Sequence, residues 1–319
     1  MRHYNILMRV LPPSVRLLVV MALLPALAAP AWAWNFPAHW VAAAIAYQRL
    51  TPAVRSKVDD FLRHHPDYEK MNFADAPADP ESRARAAFIH AGSWPDEIRD
   101  DPRFYDDTHA DAEPTPVLPG FPGMQRHTNW HYINTPFSTD DTRLTPTPAP
   151  NVGTEIRRLL SEISPSADAA TVAYDLPWLI HLIPDSHNPL HAASRVEKDL
   201  PTGDANGALV FVLGKTLHGY WDDAAVANAS SYAAILRYAK DFMARQPPPV
   251  SSSLNPKTWL DESFKLAKSG VYTFGPDNGT KEKPIKLPPG YAENAQKVAR
   301  QRLIQSGYLL GSALNARLR

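Results

Sequence analysis

The chain has 319 residues, 44% of them hydrophobic, and its 33 basic side chains equal its 33 acidic ones in number. This composition excludes disordered and fibrous proteins and supplies enough apolar material for one large core or two modest ones. Cysteine is absent, which excludes a disulfide scaffold and a thiolate zinc finger, so any metal must be held by nitrogen and oxygen. The 32 prolines argue against a long regular sheet and favour helices joined by rigid loops.

The first 33 residues have the order of a secretory signal. Three arginines precede an acid-free apolar run from Leu17 to Ala29, which is followed by the small-x-small triplet Ala31-Trp32-Ala33. The run is too short for a comfortable membrane span, so an uncleaved anchor is the less favoured alternative. We therefore predict a signal peptide over residues 1–33 and a mature domain over residues 34–319. The mature protein is expected to be secreted or periplasmic, without stable membrane association.

Apolar residues recur at helical spacing through the mature chain, whereas alternating, strand-like stretches are scarce. The first helix is predicted to begin near Trp40. Further helices are predicted over residues 52–63, 80–99, 154–163, 169–183, 223–244 and 291–318. Residues 100–150 are rich in Pro, Asp and Thr and predict an ordered loop, and residues 208–213 are the best strand candidate. The sequence thus predicts an all-α protein, a mainly helical single domain with long loops and at most a short β-hairpin.

Two histidine–aspartate pairs have a spacing that suits metal binding on a helix. His181 and Asp185 are four residues apart, and so are His218 and Asp222. Residues four apart project from the same helix face, one turn from each other. Each pair therefore presents an imidazole and a carboxylate side by side.

Three further residues extend this set of ligand types. His191 follows Pro189, which is expected to end the helix and let the chain turn a third ligand back toward the first pair. His131 and Asp96 are each flanked by large apolar residues. Imidazole and carboxylate together suit zinc, and these ligands are too many for one ion, so we predict a multinuclear site. A lone histidine or aspartate near aromatic residues is more often a hydrogen-bonded core residue, and the repeated spacing is what favours metal binding.

The predicted processed terminus adds a further ligand type. Trp34 would be the first mature residue, and its α-amino nitrogen and carbonyl oxygen would close a five-membered chelate ring on a metal. His39 lies five residues later. Here the chain resembles the S1/P1 nuclease family, zinc-dependent secreted nucleases whose mature proteins begin with a metal-binding tryptophan. The resemblance covers nearly the whole mature chain, to the terminal helix that ends in Ser312-Ala-Leu-Asn315.

This resemblance implies three zinc ions, single-stranded DNA and RNA as substrates, and 5′-phosphorylated products. It leaves open whether the protein also has 3′-nucleotidase activity. The first ion would be held by Asp96, His131, His181 and Asp185, the second by His191, His218 and Asp222, and the third by the Trp34 amino and carbonyl groups, His39 and the other oxygen of Asp185. The ions would activate the attacking water and offset the lack of a basic surface. No protein partner is expected. The other histidines lack such a pattern and are predicted to be solvated or capping residues: His64, His65, His90, His109, His127 and His187.

The resemblance also assigns roles near the substrate. Asp96 and Arg99 are both assigned as catalytic, with Arg99 beside the scissile phosphate. A role for Arg99 in pairing with carbonyl groups at the C-terminus of a helix fits the sequence nearly as well. Tyr132 would stack on a base, with core packing as an equal alternative. Asn134 stands where many members have an aspartate that hydrogen-bonds the attacking water; asparagine can orient water but cannot take its proton. Pro184 stands where glycine is usual and is expected to kink its helix.

Two other functions compete with the nuclease interpretation. Zinc-dependent phospholipase C resembles the chain in its N-terminal tryptophan and ligand order, but it commonly has glutamate where this chain has Asp222. The Trp94-Pro-Asp96 and Trp130-His-Tyr132 contexts also favour the nuclease. A structural zinc protein is the second alternative, although structural zinc sites are usually closed and often rich in cysteine.

Overall fold

Helices account for most of the regular structure in a computed structural model that describes residues 34–245 and 253–319. Within these residues the α-helices are α1 (Phe36–Arg49), α2 (Pro52–Leu62), α3 (Pro80–Ala91), α4 (Trp94–Glu97), α5 (Val152–Glu162), α6 (Ala169–Ser186), α7 (Pro189–Ala192), α8 (Leu217–Asp222), α9 (Tyr232–Arg245), α10 (Pro256–Leu266) and α11 (Tyr291–Arg317). The predicted mainly helical fold is confirmed. The predicted signal peptide lies outside the described residues.

Two small sheets accompany the helices. Strand β1 (Thr135–Phe137) pairs in parallel with β2 (Ala193–Arg195), with Thr135 opposite Ala193. Strands β3 (Phe211–Val212) and β4 (Lys215–Thr216) form the expected short hairpin. The parallel pair was not predicted, because three-residue strands carry too little alternation to be recognised. It fixes the loop after His131 against the segment after α7.

The starts of the first helices follow from local sequence. Asn35, Thr51 and Asp79 each cap a helix by accepting a hydrogen bond from the amide three residues later, and proline follows in the first turn. A capping side chain satisfies an amide that has no partner within the helix, and proline has no amide to satisfy. These signals explain why the predicted start of α2 is correct.

Helix α6 is the centre of the molecule. Its side chains are buried continuously from Val172 to Ser186, and it packs against α1 to α5, α7, α10 and α11. A helix that is apolar on all sides belongs in the interior. The helix continues through Pro184, and His181 Nε2 still lies 3.1 Å from Asp185 Oδ2. The expected kink therefore does not separate this pair.

The long C-terminal helix α11 packs closely along α1. A Cβ atom on Gly307 would lie 2.8 Å from both the Ala42 carbonyl oxygen and the Ile45 Cβ, and one on Gly311 would lie 2.8 Å from the Arg49 Cβ. Both glycines thus permit close backbone approach. This packing holds α1, which carries His39, in place. Among the described helices, none combines the length and apolarity needed to cross a membrane.

Two helices were predicted too long and one helix was not predicted. The predicted helix over 80–99 is divided into α3 and α4, because the chain turns at Gly92 and Pro95 starts a new turn. The predicted helix over 223–244 begins only at Tyr232, whose amide donates to Asp75 Oδ1. Helix α10 was not predicted, although Asn255 caps it by accepting from the Lys257 amide and Pro256 follows in the first turn.

Candidate metal centre

The eight side chains predicted as metal ligands lie close together in the interior, although they belong to separate helices and turns. None of them is more than 3% exposed. They are His39 on α1, Asp96 on α4, His131 at the end of a 3-10 turn, His181 and Asp185 on α6, His191 on α7, and His218 and Asp222 on α8. The elements come from widely separated parts of the sequence, so this convergence is a product of the fold. Three groups within the set have ligand atoms that lie within 4.8 Å of one another.

The first group contains Asp96, His131 and His181, with Asp185 at its edge. His131 Nδ1 lies 2.9 Å from His181 Nε2 and 3.2 Å from Asp185 Oδ2. Asp96 Oδ1 lies 3.7 Å from His131 Nδ1 and 3.8 Å from His181 Nε2. Two imidazoles and two carboxylates therefore point at one small volume.

The second group joins His39 to His181 and Asp185. His39 Nε2 lies 3.4 Å from Asp185 Oδ1, and its ring stacks on the His181 ring with centroids 3.9 Å apart. The two oxygens of Asp185 thus face different groups, Oδ2 the first and Oδ1 the second. Trp34 is fully buried nearby, and its indole N–H donates to the Pro184 carbonyl oxygen at 3.0 Å. This contact places Trp34 beside the residue that precedes Asp185.

The third group contains His191, His218 and Asp222. His218 Nε2 lies 3.5 Å from Asp222 Oδ2, and the rings of His191 and His218 have centroids 5.2 Å apart. His191 Nδ1 lies 3.7 Å from Asp185 Oδ1, so this group borders the other two. Pro189 does not act as expected: α6 already ends at Ser186, and Pro189 begins the short helix that carries His191.

Backbone carbonyls fix the orientation of three imidazoles. Nδ1 of His181 lies 2.7 Å from the Gly92 oxygen, Nδ1 of His191 lies 2.6 Å from the His131 oxygen, and Nδ1 of His218 lies 2.9 Å from the Asn206 oxygen. A carbonyl oxygen only accepts, so Nδ1 carries a proton and Nε2 is the nitrogen that remains to bind a metal. This arrangement is typical of metal-binding histidines.

Several buried polar atoms of the centre have no hydrogen-bond partner in the part of the chain that the structure describes. They are both ring nitrogens of His39, Nε2 of His131 and His191, Oδ1 of Asp185 and Oδ2 of Asp222. An unsatisfied buried polar group costs about 1–3 kcal/mol, so such atoms are rarely clustered without a reason. Lone pairs of nitrogen and carboxylate oxygen are the donors that zinc takes in proteins. The residues present therefore fit a divalent metal.

Three groups of the centre have pKa values that are shifted far from their usual ones. Burial acts to lower the pKa of His181, but Asp185 and Asp96 raise it to about 9. Burial acts to raise the pKa of Asp185, but His181 and His191 hold it well below its usual range. Burial raises the pKa of Asp222 well above its usual value, against the hydrogen bond from Asn188. A cation would stabilise the ionised form of Asp222 and displace the proton of His181.

The residues predicted to meet the substrate lie at the edge of the centre. Arg99 Nη1 lies 3.3 Å from Asp96 Oδ1, and its side chain is 11% exposed. Tyr132 is partly buried; burial raises its pKa, and the nearby charge of Arg99 opposes this. Asn134 has a left-handed backbone with φ of 49°, which asparagine tolerates better than most residues. No described residue donates a hydrogen bond to its buried Oδ1.

Sequence reasoning missed the residues that support the ligands. Asn188 Nδ2 donates to Asp222 Oδ1 at 3.1 Å, and the other supports are backbone carbonyls, which no side-chain pattern reveals. The position of Asn188 between Asp185 and His191 was the only available signal. The prediction that the other histidines are solvated or capping is wrong for His65, which is 3% exposed. His187 is fully buried and caps α6, as the prediction allowed.

The family model for S1/P1 nuclease matches residues 34–319. The chain belongs to the S1/P1 nuclease family. A comparison with curated proteins found no match. Membership of the S1/P1 nucleases makes the protein a hydrolase of phosphodiester bonds in a zinc-dependent family, and its histidine–aspartate groups could hold such metals. The match also favours the nuclease over the phospholipase C alternative.

Proposed function

We propose that this S1/P1 nuclease uses three zinc ions to hydrolyse single-stranded DNA and RNA, releasing 5′-phosphorylated nucleotides. The observation that carries the proposal is the meeting of three histidine–aspartate groups in one buried centre, with Asp185 turning one oxygen to each of two groups. Neighbouring groups of this kind suit a multinuclear hydrolase better than a single structural ion. Removal of the leader and export from the cytoplasm belong to the same proposal.

The proposed ligand sets follow the three groups. Asp96, His131, His181 and Asp185 Oδ2 would hold one ion, His191, His218 and Asp222 a second, and the amino and carbonyl groups of Trp34, His39 and Asp185 Oδ1 a third. Bound zinc supplies a Lewis acid that polarises phosphate oxygens and lowers the pKa of water. The imidazoles with Nδ1 fixed by carbonyls would keep their Nε2 lone pairs aimed inward.

The chain's own side chains would do the rest. Arg99 would neutralise negative charge on the phosphate, since its guanidinium is held at the centre by Asp96. Asn134 would accept a hydrogen bond from the attacking water at its unpartnered Oδ1 and orient it. Tyr132 would stack on an unpaired base next to the cleaved bond. Stacking of this kind contributes roughly 1–3 kcal/mol per base and tolerates any base, which favours single strands.

The N-terminus gives the sharpest test. The family match begins at Trp34, and the buried indole of Trp34 ties it to Pro184. A protein that begins at Trp34 should bind three zinc ions, whereas one with three extra residues before Trp34 should bind two and lose most activity on single-stranded DNA. The same three residues added after Arg319, which is exposed, form the matched control and should change neither quantity. Equal zinc content and equal rates for all three proteins would refute the third site.

Substrate class is tested in the same preparations. Single-stranded DNA and RNA, 3′-AMP and phosphatidylcholine are offered to the protein that begins at Trp34. We expect cleavage of both nucleic acids with 5′-phosphate on the products. Hydrolysis of phosphatidylcholine alone, or one tightly bound zinc without any phosphodiesterase activity, would overturn the proposal in favour of the phospholipase or the structural zinc protein.

A further inference from the structure

A cavity of about 530 Å³ lies between the loop over residues 120–127 and helices α5 and α6. Its walls include the rings of Phe121, Trp130 and Tyr174. The volume falls within the range of small-molecule sites, and walls of this kind accept a flat, apolar ligand. None of the eight side chains predicted as metal ligands lines it, so the cavity is separate from the metal centre.

The cavity is nevertheless coupled to the centre through two elements. Trp130 directly precedes His131, and its ring lies 4.8 Å from that of Trp178, which in turn lies 5.7 Å from the His131 ring. Tyr174 and Asp175 lie on α6, seven and six residues before His181. At 1.5 Å per residue this is about 10 Å along the helix axis. At roughly 3.4 Å per nucleotide, a strand of about three nucleotides is long enough to span this distance.

Two polar groups in the cavity lack sufficient partners. Tyr174 is 5% exposed, and its hydroxyl has no hydrogen-bond partner within residues 34–245 and 253–319. Asp175 is 4% exposed, and among the same residues it pairs with Arg158, whose Nη1 lies 3.5 Å from Oδ1. Burial raises the pKa of Asp175 to about 6, with Arg158 opposing, so the carboxylate is ionised at neutral pH. Buried groups of this kind select a ligand that donates hydrogen bonds.

The charge in the cavity argues against a phosphate ligand. Arg158 already pairs with Glu155, Glu162 and Asp175. It also lies over the Trp130 ring, 5.1 Å from the centroid. Its positive charge is therefore compensated, and the ligand must be recognised by its flat face and its N–H groups.

We propose that this cavity binds an unpaired nucleobase of the single-stranded substrate, at a fixed distance along the strand from the cleaved bond, and that it prefers guanine. The inference rests on the proposed nuclease function. Guanine offers its ring N–H and its amino group side by side, which match the two oxygens of the Asp175 carboxylate, and it can take a hydrogen bond from Tyr174. Aromatic walls bind any base, and the carboxylate supplies the preference.

The test maps cut positions in a strand of dT that contains a single dG. For the wild-type protein we expect one position relative to dG to be cut about tenfold more often than the same position in an all-dT strand. Asp175→Asn and Tyr174→Phe should reduce this bias. Ala170→Trp, at an exposed position of the cavity wall, should abolish it by filling the cavity. A change in fold stability alone alters total rate and leaves the cut positions as they were.

Asp241→Asn and Tyr238→Phe on α9 are the matched controls, and both should keep the bias. If wild-type cuts show no bias, or if the bias survives in Ala170→Trp and Asp175→Asn, the inference is wrong and the proposed nuclease function stands. If the wild-type protein cleaves no oligonucleotide, the proposed function fails and the inference fails with it. Should Asp175→Asn not fold, Ala170→Trp decides, because its side chain is added at the surface.

Discussion

The support given to Asp222 by Asn188 offers a direct test of the metal centre. The Asn188 side chain makes two hydrogen bonds. Its Oδ1 caps α7 by accepting from the Leu190 amide at 3.0 Å, and its Nδ2 donates to Asp222 Oδ1 at 3.1 Å. Serine is an equally good helix cap but is too short to reach the carboxylate and has no amide. Asn188→Ser therefore removes the donor to Asp222 while keeping the cap and the net charge.

The size of the effect follows from the surroundings of Asp222. Asp222 is 3% exposed, and its other oxygen already has no hydrogen-bond partner among the described residues. Loss of the remaining donor leaves the carboxylate free to rotate away from His191 and His218. Hydrogen bonds to charged groups contribute about 1.5–3 kcal/mol, and loss of a supporting residue typically weakens a metal site by about 10–100-fold. We expect a weakening of zinc binding within that range for one of the three proposed ions.

Competition against chelators of graded affinity measures this change, with zinc content and nuclease rate followed in parallel. Asn255→Ser is a matched control, because Asn255 also caps a helix that begins with proline, accepting from the Lys257 amide at 3.1 Å. The control should bind zinc as the wild type does. If Asn188→Ser folds and holds all its zinc with unchanged affinity, then Asp222 is not a ligand whose position matters, and the assignment of the second ion is wrong.

Three further changes test packing, charge and mechanism. Gly307→Ala should lower the free energy of unfolding by about 1–2 kcal/mol, because overpacking against Ala42 outweighs a gain in helix propensity of about 1 kcal/mol. Burial acts to raise the pKa of Asp67, but hydrogen bonds from Arg103 and two other donors lower it from 3.8 to about 2. Asp67→Asn should therefore cost about 2 kcal/mol at neutral pH, a difference that disappears as the pH falls from about 4 to about 2. Asn134→Asp should change the acid limb of the pH–rate profile, since the new carboxylate must ionise before it can accept the proton of water.

Each of these has a control and a contrary outcome. Gly275→Ala should be neutral, because a Cβ there would meet no atom within 4 Å; equal melting temperatures for the two alanine variants would show that α1 and α11 do not touch as described. Asp241→Asn, which removes an exposed carboxylate, is the control for Asp67→Asn and should leave the pH dependence of unfolding unchanged. Identical pH–rate profiles for Asn134→Asp and wild type would remove Asn134 from the mechanism.

The sequence predicted those parts of the centre that local geometry determines. His181 with Asp185, and His218 with Asp222, are four residues apart, and both pairs lie on helices as the spacing requires. The predicted helix over residues 169–183 agrees with α6 to within one turn. Helical period and spacing are local properties, so they can be recognised without knowledge of the fold.

The remaining parts depend on contacts between distant segments. His39 meets Asp185 through the packing of α1 against α3, α6, α9 and α11, and the spacing of residues along the chain carries no signal of that contact. The segment 223–231 shows helical periodicity, yet Asn35 Nδ2 donates to the Val226 carbonyl oxygen and Asp75 caps the helix only at Tyr232. Tertiary hydrogen bonds thus override local preference at this point.

The neutral charge of the chain is compatible with a nucleic-acid substrate because of where the acids lie. Nucleic-acid-binding proteins usually have a basic surface, whereas here acidic and basic side chains are equal in number. Three of the acids, Asp96, Asp185 and Asp222, are buried in the centre and at most 3% exposed. Under the proposed function, three divalent cations would carry more positive charge than these carboxylates cancel. Attraction for phosphate would then be confined to the site of cleavage, and base contacts with the aromatic side chains would hold the rest of the strand.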